Sequence, residues 1–325
     1  MPKGSVTDSF LTAENIAFLE TLGQVTYNTY DRHLTPEEFR DALEGVDVCV
    51  CGWGVPRFDE YVLEKADELK LIAYTAGTVS KFVTDTLYDR GIRVLSGNEA
   101  FAVSVAEGTV GYMIAAQRDL RGYEKLMLER GWRTADFHNR SLLGKTVGIV
   151  GYGTISRHLL QMLKPFHVKI LLYSNHTSDE EAVRLGVQKA TLEEIFSTCD
   201  IISLHCARNP ANYHLVNRQR LELMKPGALI VNTSRGDVID EQVLTEFLQE
   251  GRIRAALDVF EKEPLPMESP LRSLENVYLQ PHLGGPTMDY RYAAARLVLE
   301  DILRFQQGLP MENEISRQRS AMMTK

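Results

Sequence analysis

Residues 148–160 read GIVGYGTISRHLL. The run before the first turn glycine, KTVGIV (145–150), has the composition of a short buried strand, and TISRHLLQMLK (154–164) keeps helical periodicity up to Pro165. Gly151 permits a tight turn between the two, and Gly153 leaves the backbone bare to an approaching group. A strand–glycine turn–helix unit aims unpaired backbone N–H groups and the positive end of the helix dipole at one point, which suits the pyrophosphate of a dinucleotide. The third small position of such a turn is 156, where Ser156 stands instead of glycine or alanine. Its hydroxyl is expected to bond back to the helix carbonyl one turn earlier. A tight strand–helix turn that holds no ligand would share these features, so the motif needs support from elsewhere in the chain.

The next checkpoint lies about 20 residues on, where an acid at the end of the second strand would bind the adenosine ribose. Here the strand ends LLYSNHT (171–177), with no acid at Ser174, Asn175 or His176. A missing carboxylate removes the repulsion that excludes a 2′-phosphate, and His176 is the only candidate cation to hold one. NAD(H) and NADP(H) both remain open.

The 325 residues exceed a single core, so two domains are expected. A net charge of −8 and a pI near 5.6 argue against nucleic acid as a partner. No apolar run is long enough to span a bilayer, and the opening MPKGSVTDSF lacks the apolar centre of a signal peptide. Cys49, Cys51, Cys199 and Cys206 form no C-x-x-C pair, so neither a disulfide framework nor a metal site is expected. The reading is of buried thiols in a cytoplasmic protein.

Short β-rich runs alternate with amphipathic runs throughout, the pattern of an α/β chain with parallel strands. The first hundred residues offer strands at QVTYN (24–28), VDVCVCG (46–52), LKLIAYT (69–75) and IRVLS (92–96). Between them, TPEEFRDALEG (35–45) places Thr35 as N-cap, Pro36 at the first helical position and Glu38 three residues after the cap. A long helical pattern (102–120) and a polar stretch (129–145) lead into the second alternation. After KTVGIVG its strands are VKILLYS (168–174), CDIISLH (199–205), GALIVNT (227–233), RIRAALDV (252–259) and NVYLQP (276–281). A final helix over roughly 287–307 is followed by a polar tail whose Arg317 and Arg319 read as a solvated end.

In an open parallel sheet, ligands bind beyond the carboxyl ends of the strands. Here the apolar runs finish in reactive polar groups: His205, Arg235, Asp258 with Glu263 five residues later, and His282. Each has a structural explanation alone, but parallel strands would bring all five to one edge, beside the glycine turn.

The blocks GIVGYGTIS, VNTSRGDVIDE, AALDVFEKEP and QPHLGGPT resemble the signatures of the D-isomer-specific 2-hydroxyacid dehydrogenases, and LIAYTAGT and VAEGTVGYMI match further family blocks. The resemblance covers most of the chain. It implies a doubly wound parallel-sheet (Rossmann-type) cofactor domain at 103–288 and a smaller, flavodoxin-like α/β substrate domain built from 1–102 and 289–325. It also implies a homodimer. Carried over residue by residue, it makes Arg235, Glu263 and His282 the catalytic trio. Thr78, Gly151, Gly153, Thr154, Ile155, Ser174, His205, Thr233, Ser234, Asp258 and Gly284 would meet the cofactor. Val79 and Ser80 would join Arg235 at the substrate carboxylate. The chain departs from the family pattern at Ser156, His167, Ser174, Ala207, Asn98 and Phe101, which bears on cofactor preference and substrate rather than on the chemistry.

The trio suits hydride transfer between a nicotinamide and a small 2-oxo acid or D-2-hydroxy acid. A planar guanidinium grips the carboxylate and polarises the ketone. A histidine supplies the proton of the new hydroxyl, and a carboxylate fixes its tautomer and favours its charged form. No metal is needed. The early stretch CGWGVPRF (51–58) puts Trp53 where an apolar substrate wall or a core tryptophan would stand. With no regulatory domain of the phosphoglycerate dehydrogenase kind expected, a non-phosphorylated 2-oxo acid and reduction are the favoured substrate and direction. The alternative is a nicotinamide-sensing binding module of the corepressor kind on the same fold, without significant turnover.

Overall fold

A computed structural model describes residues 1–133, 135 and 139–323. Residues 134, 136–138, 324 and 325, parts of the polar stretch and of the tail, lie outside the described residues. The chain divides into two compact units, Met1–Ala102 with Pro286–Lys325, and Val103–Gly285. It re-enters the first unit at Pro286, ahead of the expected 289, because Thr287 already caps the helix Met288–Gln306.

In the first unit, β1 (Val48–Cys51), β2 (Leu71–Tyr74) and β3 (Arg93–Ser96) form a parallel sheet in the order β1-β2-β3. Leu71, Ile72 and Ala73 are fully buried, which is why this central run is apolar without alternation. The helix Pro36–Ala42 carries the expected capping box of Thr35 and Glu38. QVTYN is not a strand. Val25 packs on the core, but Tyr27 is exposed and no ladder partner lies beside the segment among the described residues. Its β-prone composition serves a surface crossing instead.

The tail differs from a solvated end. Ile315 N–H donates to the Val94 carbonyl at 2.8 Å and Ser96 N–H to the Asn313 carbonyl at 3.2 Å, so the tail runs antiparallel along β3. Met311 and Ile315 are buried, and Arg317 pairs with Asp89. The buried Asp301 carboxylate accepts the N–H groups of Glu312 and Asn313 at 2.9 and 2.8 Å, tying the tail to the last long helix. Arg317, although paired, and Arg319 both stay exposed as expected.

The second unit holds β4 (Thr146–Val150), β5 (Lys169–Tyr173), β6 (Gln188–Lys189), β7 (Ile201–Leu204), β8 (Leu229–Asn232), β9 (Arg254–Leu257) and β10 (Val277–Leu279). All are parallel, in the order β10-β9-β8-β7-β4-β5-β6. Successive residues of these strands enter two different cores. Val147, Ile149, Ile201, Leu229 and Val231 join one cluster, and Val150, Ile202, Leu204 and Ile230 the other. The strands are apolar on both faces because helices cover both, the doubly wound arrangement. The chain order reverses at β4, between β5 and β7, which defines the switch point. β6 had no signal in the sequence, since its two exposed residues are both polar.

Candidate active site

At the switch point, Gly151 sits at φ +99°, and a Cβ there would lie 2.8 Å from the His205 carbonyl carbon. Only glycine fits this turn on both counts. Gly153 is the N-cap of the helix Thr154–Leu163 and gives no side-chain cap; a Cβ on it would meet nothing within 4 Å. The helix therefore opens with free N–H groups at Thr154 and Ile155 beside bare backbone, a fit for a phosphate. Ser156 is fully buried, and its hydroxyl donates to the Gly151 carbonyl at 2.7 Å. The bond closes the glycine turn itself, one residue beyond the helix carbonyl expected from the sequence.

His205 follows β7. Its Nε2 lies 2.8 Å from Ser203 Oγ, whereas its Nδ1 is buried with no partner. Burial pushes its pKa down to about 4, so the ring is neutral. A buried ring nitrogen without a partner, on the residue whose backbone abuts the glycine turn, is a second sign that this edge is shaped for a polar ligand. Ser174, after β5, accepts the His176 N–H at 3.2 Å and the Thr177 hydroxyl at 2.9 Å. No acid stands at Ser174, Asn175 or His176 to meet a ribose.

β8 ends in Asn232, which the sequence analysis does not single out. Its Oδ1 accepts the Ser234 N–H at 3.0 Å and hydroxyl at 2.8 Å, and its Nδ2 donates to the Arg235 carbonyl at 2.9 Å. One buried amide thus shapes the loop Thr233–Arg235. The signal was present as a polar residue ending an otherwise apolar strand. Thr233 Oγ1 lies 3.0 Å from Thr109 Oγ1 on the helix Asn98–Arg118. The Arg235 Nη1 donates to the Ser234 carbonyl at 2.7 Å. Burial lowers its pKa, the Glu263 charge opposes that, and Arg208 adds to it; the group stays a cation.

Asp258 follows β9 and is buried. Its Oδ1 accepts the N–H groups of Leu283 and Gly284 at 2.7 and 2.8 Å, and its backbone carbonyl accepts that of His282 at 2.9 Å. Tyr112 Oη donates to the same carboxylate at 3.4 Å; burial, and then the Asp258 charge, raise the pKa of this phenol. This carboxylate holds the turn carrying His282, which sits at φ +56° in the left-handed region. His282 Nδ1 meets Glu263 Oε2 at 2.7 Å, and Glu263 Oε1 accepts the Phe260 N–H at 3.1 Å. Nε2 is the ring nitrogen this pair leaves over.

Arg235, Glu263 and His282 thus follow β8, β9 and β10, at the carboxyl edge of one sheet. Thr78, Val79 and Ser80 belong to the first unit, in the loop after β2. Thr78 Oγ1 and Ser80 Oγ lie 3.0 Å apart, and Val79 is fully buried. No metal-binding group of three or more His, Cys, Asp or Glu is found among the described residues, and none of their helices is long and apolar enough to cross a membrane.

A doubly wound sheet with a glycine turn at its switch point defines a dinucleotide-binding fold. Residues 110–284 match the NAD binding domain of the D-isomer specific 2-hydroxyacid dehydrogenases. The D-3-phosphoglycerate dehydrogenase of Methanocaldococcus jannaschii is 36% identical over 318 residues, 97% of this chain and 60% of that protein. The glyoxylate reductase of Pyrococcus furiosus is 31% identical over 315 residues, 94% of this chain and 93% of that protein. The structure of D-lactate dehydrogenase from Escherichia coli superposes with a TM-score of 0.71 at 26% identity, covering 94% of this chain and 98% of the other. The chain belongs to the D-isomer-specific 2-hydroxyacid dehydrogenase family. It spans only 60% and 50% of the phosphoglycerate dehydrogenases of M. jannaschii and Archaeoglobus fulgidus.

Proposed function

We propose that this chain is an NAD(P)-dependent oxidoreductase that reduces a small 2-oxo acid to the D-2-hydroxy acid. The observation that carries the reading is the 2.7 Å Glu263–His282 pair on the sheet edge that also presents Arg235. The second unit is the cofactor domain and the first the substrate domain. In its oxidised and reduced forms the dinucleotide accepts and supplies the hydride. Gly151, Gly153 and the N–H groups of Thr154 and Ile155 would hold its pyrophosphate, Ser174 its ribose, and His205, Thr233, Ser234, Asp258 and Gly284 the remaining length.

Arg235 grips the substrate carboxylate and draws electron density toward the oxo oxygen, an effect strengthened by its burial. As the new C–H bond forms at the oxo carbon, His282 gives the proton on Nε2 to the oxygen. The ring left behind is neutral and stays oriented through Nδ1 by Glu263. In the oxidative direction the neutral ring takes that proton back.

Leu128 is 79% exposed and shares the helix Leu120–Leu128 with the exposed Leu120 and Met127, an apolar face suited to a second copy in a homodimer. The buried thiols of Cys49, Cys51 and Cys199 fit the cytoplasm.

A panel of 2-oxo acids with NADH and NADPH, followed by loss of the nicotinamide absorbance, tests the reading. The parent should turn over at least one acid, and His282→Ala should lose about 10²–10⁴-fold in kcat. No turnover of any acid with tight cofactor binding would favour the sensing module. A fully active His282→Ala would sink the mechanism.

A further inference from the structure

Two residues before Glu263 stands a second carboxylate with its own histidine. Glu261 Oε1 lies 2.6 Å from His214 Nε2. Glu261 also donates its N–H to Glu241 Oε2 at 3.0 Å, and Glu241 returns its N–H to Glu261 Oε1 at 3.3 Å. Burial raises the Glu241 pKa, the bond from the Glu261 N–H opposes it, and the Glu261 charge adds to the rise. On its other side, His214 donates its backbone N–H to the Asp237 carbonyl at 2.9 Å. Asp237 lies in the short turn Gly236–Val238 that directly follows Arg235. Val216 N–H to the Val238 carbonyl, at 2.9 Å, continues the same seam.

His214 therefore touches the loops that carry two of the trio: through its backbone the one after Arg235, through its ring the one before Glu263. Those loops also press directly on each other. A Cβ at Gly236 would lie 1.9 Å from the Phe260 carbonyl carbon, so the backbones meet with no side chain between them. The His214 ring is itself held. Tyr213 stacks on it with centroids 4.0 Å apart, and Asp240 Oδ2 sits 3.8 Å from Nδ1. The paired strands β8 and β9 set the two loops side by side, and Arg235 and Glu263 lie three and six residues beyond them, so their spacing depends on how the loops themselves are held.

We propose that His214 is a positioning residue: by hydrogen-bonding Glu261 it clamps the Glu263 loop against the Arg235 loop. The inference rests on the proposed reduction of a 2-oxo acid. A misplacement near 1 Å away from the reacting atoms can cost about 10²-fold in rate, so the clamp acts on turnover without touching substrate.

The experiment compares His214→Ala, His214→Gln, Glu261→Ala and the double alanine variant in the full chain. His214→Ala should lower kcat by about 10- to 100-fold while the cofactor Kd, read by nicotinamide fluorescence, stays at the parent value. His214→Gln, whose side-chain amide can donate to Glu261, should recover most of the loss. The double variant should be no worse than Glu261→Ala, because both remove one contact. Unchanged kcat in His214→Ala, a glutamine no better than alanine, or losses that multiply in the double variant overturn the clamp. Hydrogen exchange over residues 259–263 tests the clamp without turnover. Protection lost in His214→Ala and regained in His214→Gln supports it, and protection equal to the parent in both overturns it. A parent without 2-oxo acid turnover defeats the functional reading, and hydrogen exchange still decides whether the clamp exists.

Discussion

His282 and His214 both hold left-handed backbone, at φ +56° and +48°, a conformation that costs a non-glycine residue about 1–2 kcal/mol. Each is held there by a carboxylate and by backbone bonds from a neighbouring loop, so the strain is offset where the side chain is needed. Ser174 is the opposite case, a residue whose present bonds are local. Its oxygen serves the loop through His176 and Thr177. An aspartate there could accept the same two bonds, bind the ribose and repel a 2′-phosphate. Ser174→Asp should therefore raise the NADH/NADPH ratio of kcat/KM, and an unaltered ratio would show that the ribose lies elsewhere. His205 makes a prediction of stability against pH. Its folded pKa, about 4, lies below the ordinary histidine value of 6.5. Below pH 6.5 the unfolded chain takes up a proton that the folded chain refuses, so stability falls as pH drops from 6.5 toward 4. The loss is at most about 3 kcal/mol from a shift of this size, reduced by the partial exposure of the residue. Urea midpoints at pH 7 and pH 5 should differ more for the parent than for His205→Gln; equal differences would discount the burial.

Among the elements, the helix Thr154–Leu163 shows how local and tertiary demands meet. Its periodicity was legible because Leu159, Leu160 and Leu163 recur on one buried face. The partner of Ser156 was not, because the hydroxyl reaches out of the helix to the Gly151 carbonyl. Ser156→Ala should keep the fold and cofactor affinity and lose about 1 kcal/mol, the net worth of one hydrogen bond. Ser156→Leu places a large side chain at a fully buried position and should cost about 1–3 kcal/mol or more and weaken cofactor binding. Thermal midpoints and cofactor titrations of the two variants check this. A leucine variant that matches the parent would mean that helix and strand do not close on each other at this residue. The capping box at Thr35 was legible for the same reason as the periodicity: its partners lie within four residues. QVTYN has the composition of a strand, but among the described residues no neighbour lies alongside to complete a ladder.

For the molecule as a whole, the proposed homodimer would cover the exposed Leu120, Met127 and Leu128 of the helix Leu120–Leu128. Leu128→Glu should shift a dimer toward monomer in light scattering at fixed concentration, with circular dichroism unchanged; a dimer that survives would place the interface elsewhere. Residue order alone was enough to set the alternation of strands and helices, the glycine turn, the caps and the polar residues that end the strands. These depend on residue period and on neighbours a few positions away, where chain connectivity already fixes the geometry. Long-range packing was needed to lay the polar tail along β3, to bring Gly236 and Phe260 together backbone to backbone, and to join His214 to Glu261. It also set Tyr112 against Asp258. Most of those contacts join residues tens to hundreds of positions apart. Local period carries no information about them, because they exist only once parallel strands have brought their carboxyl ends to a common edge.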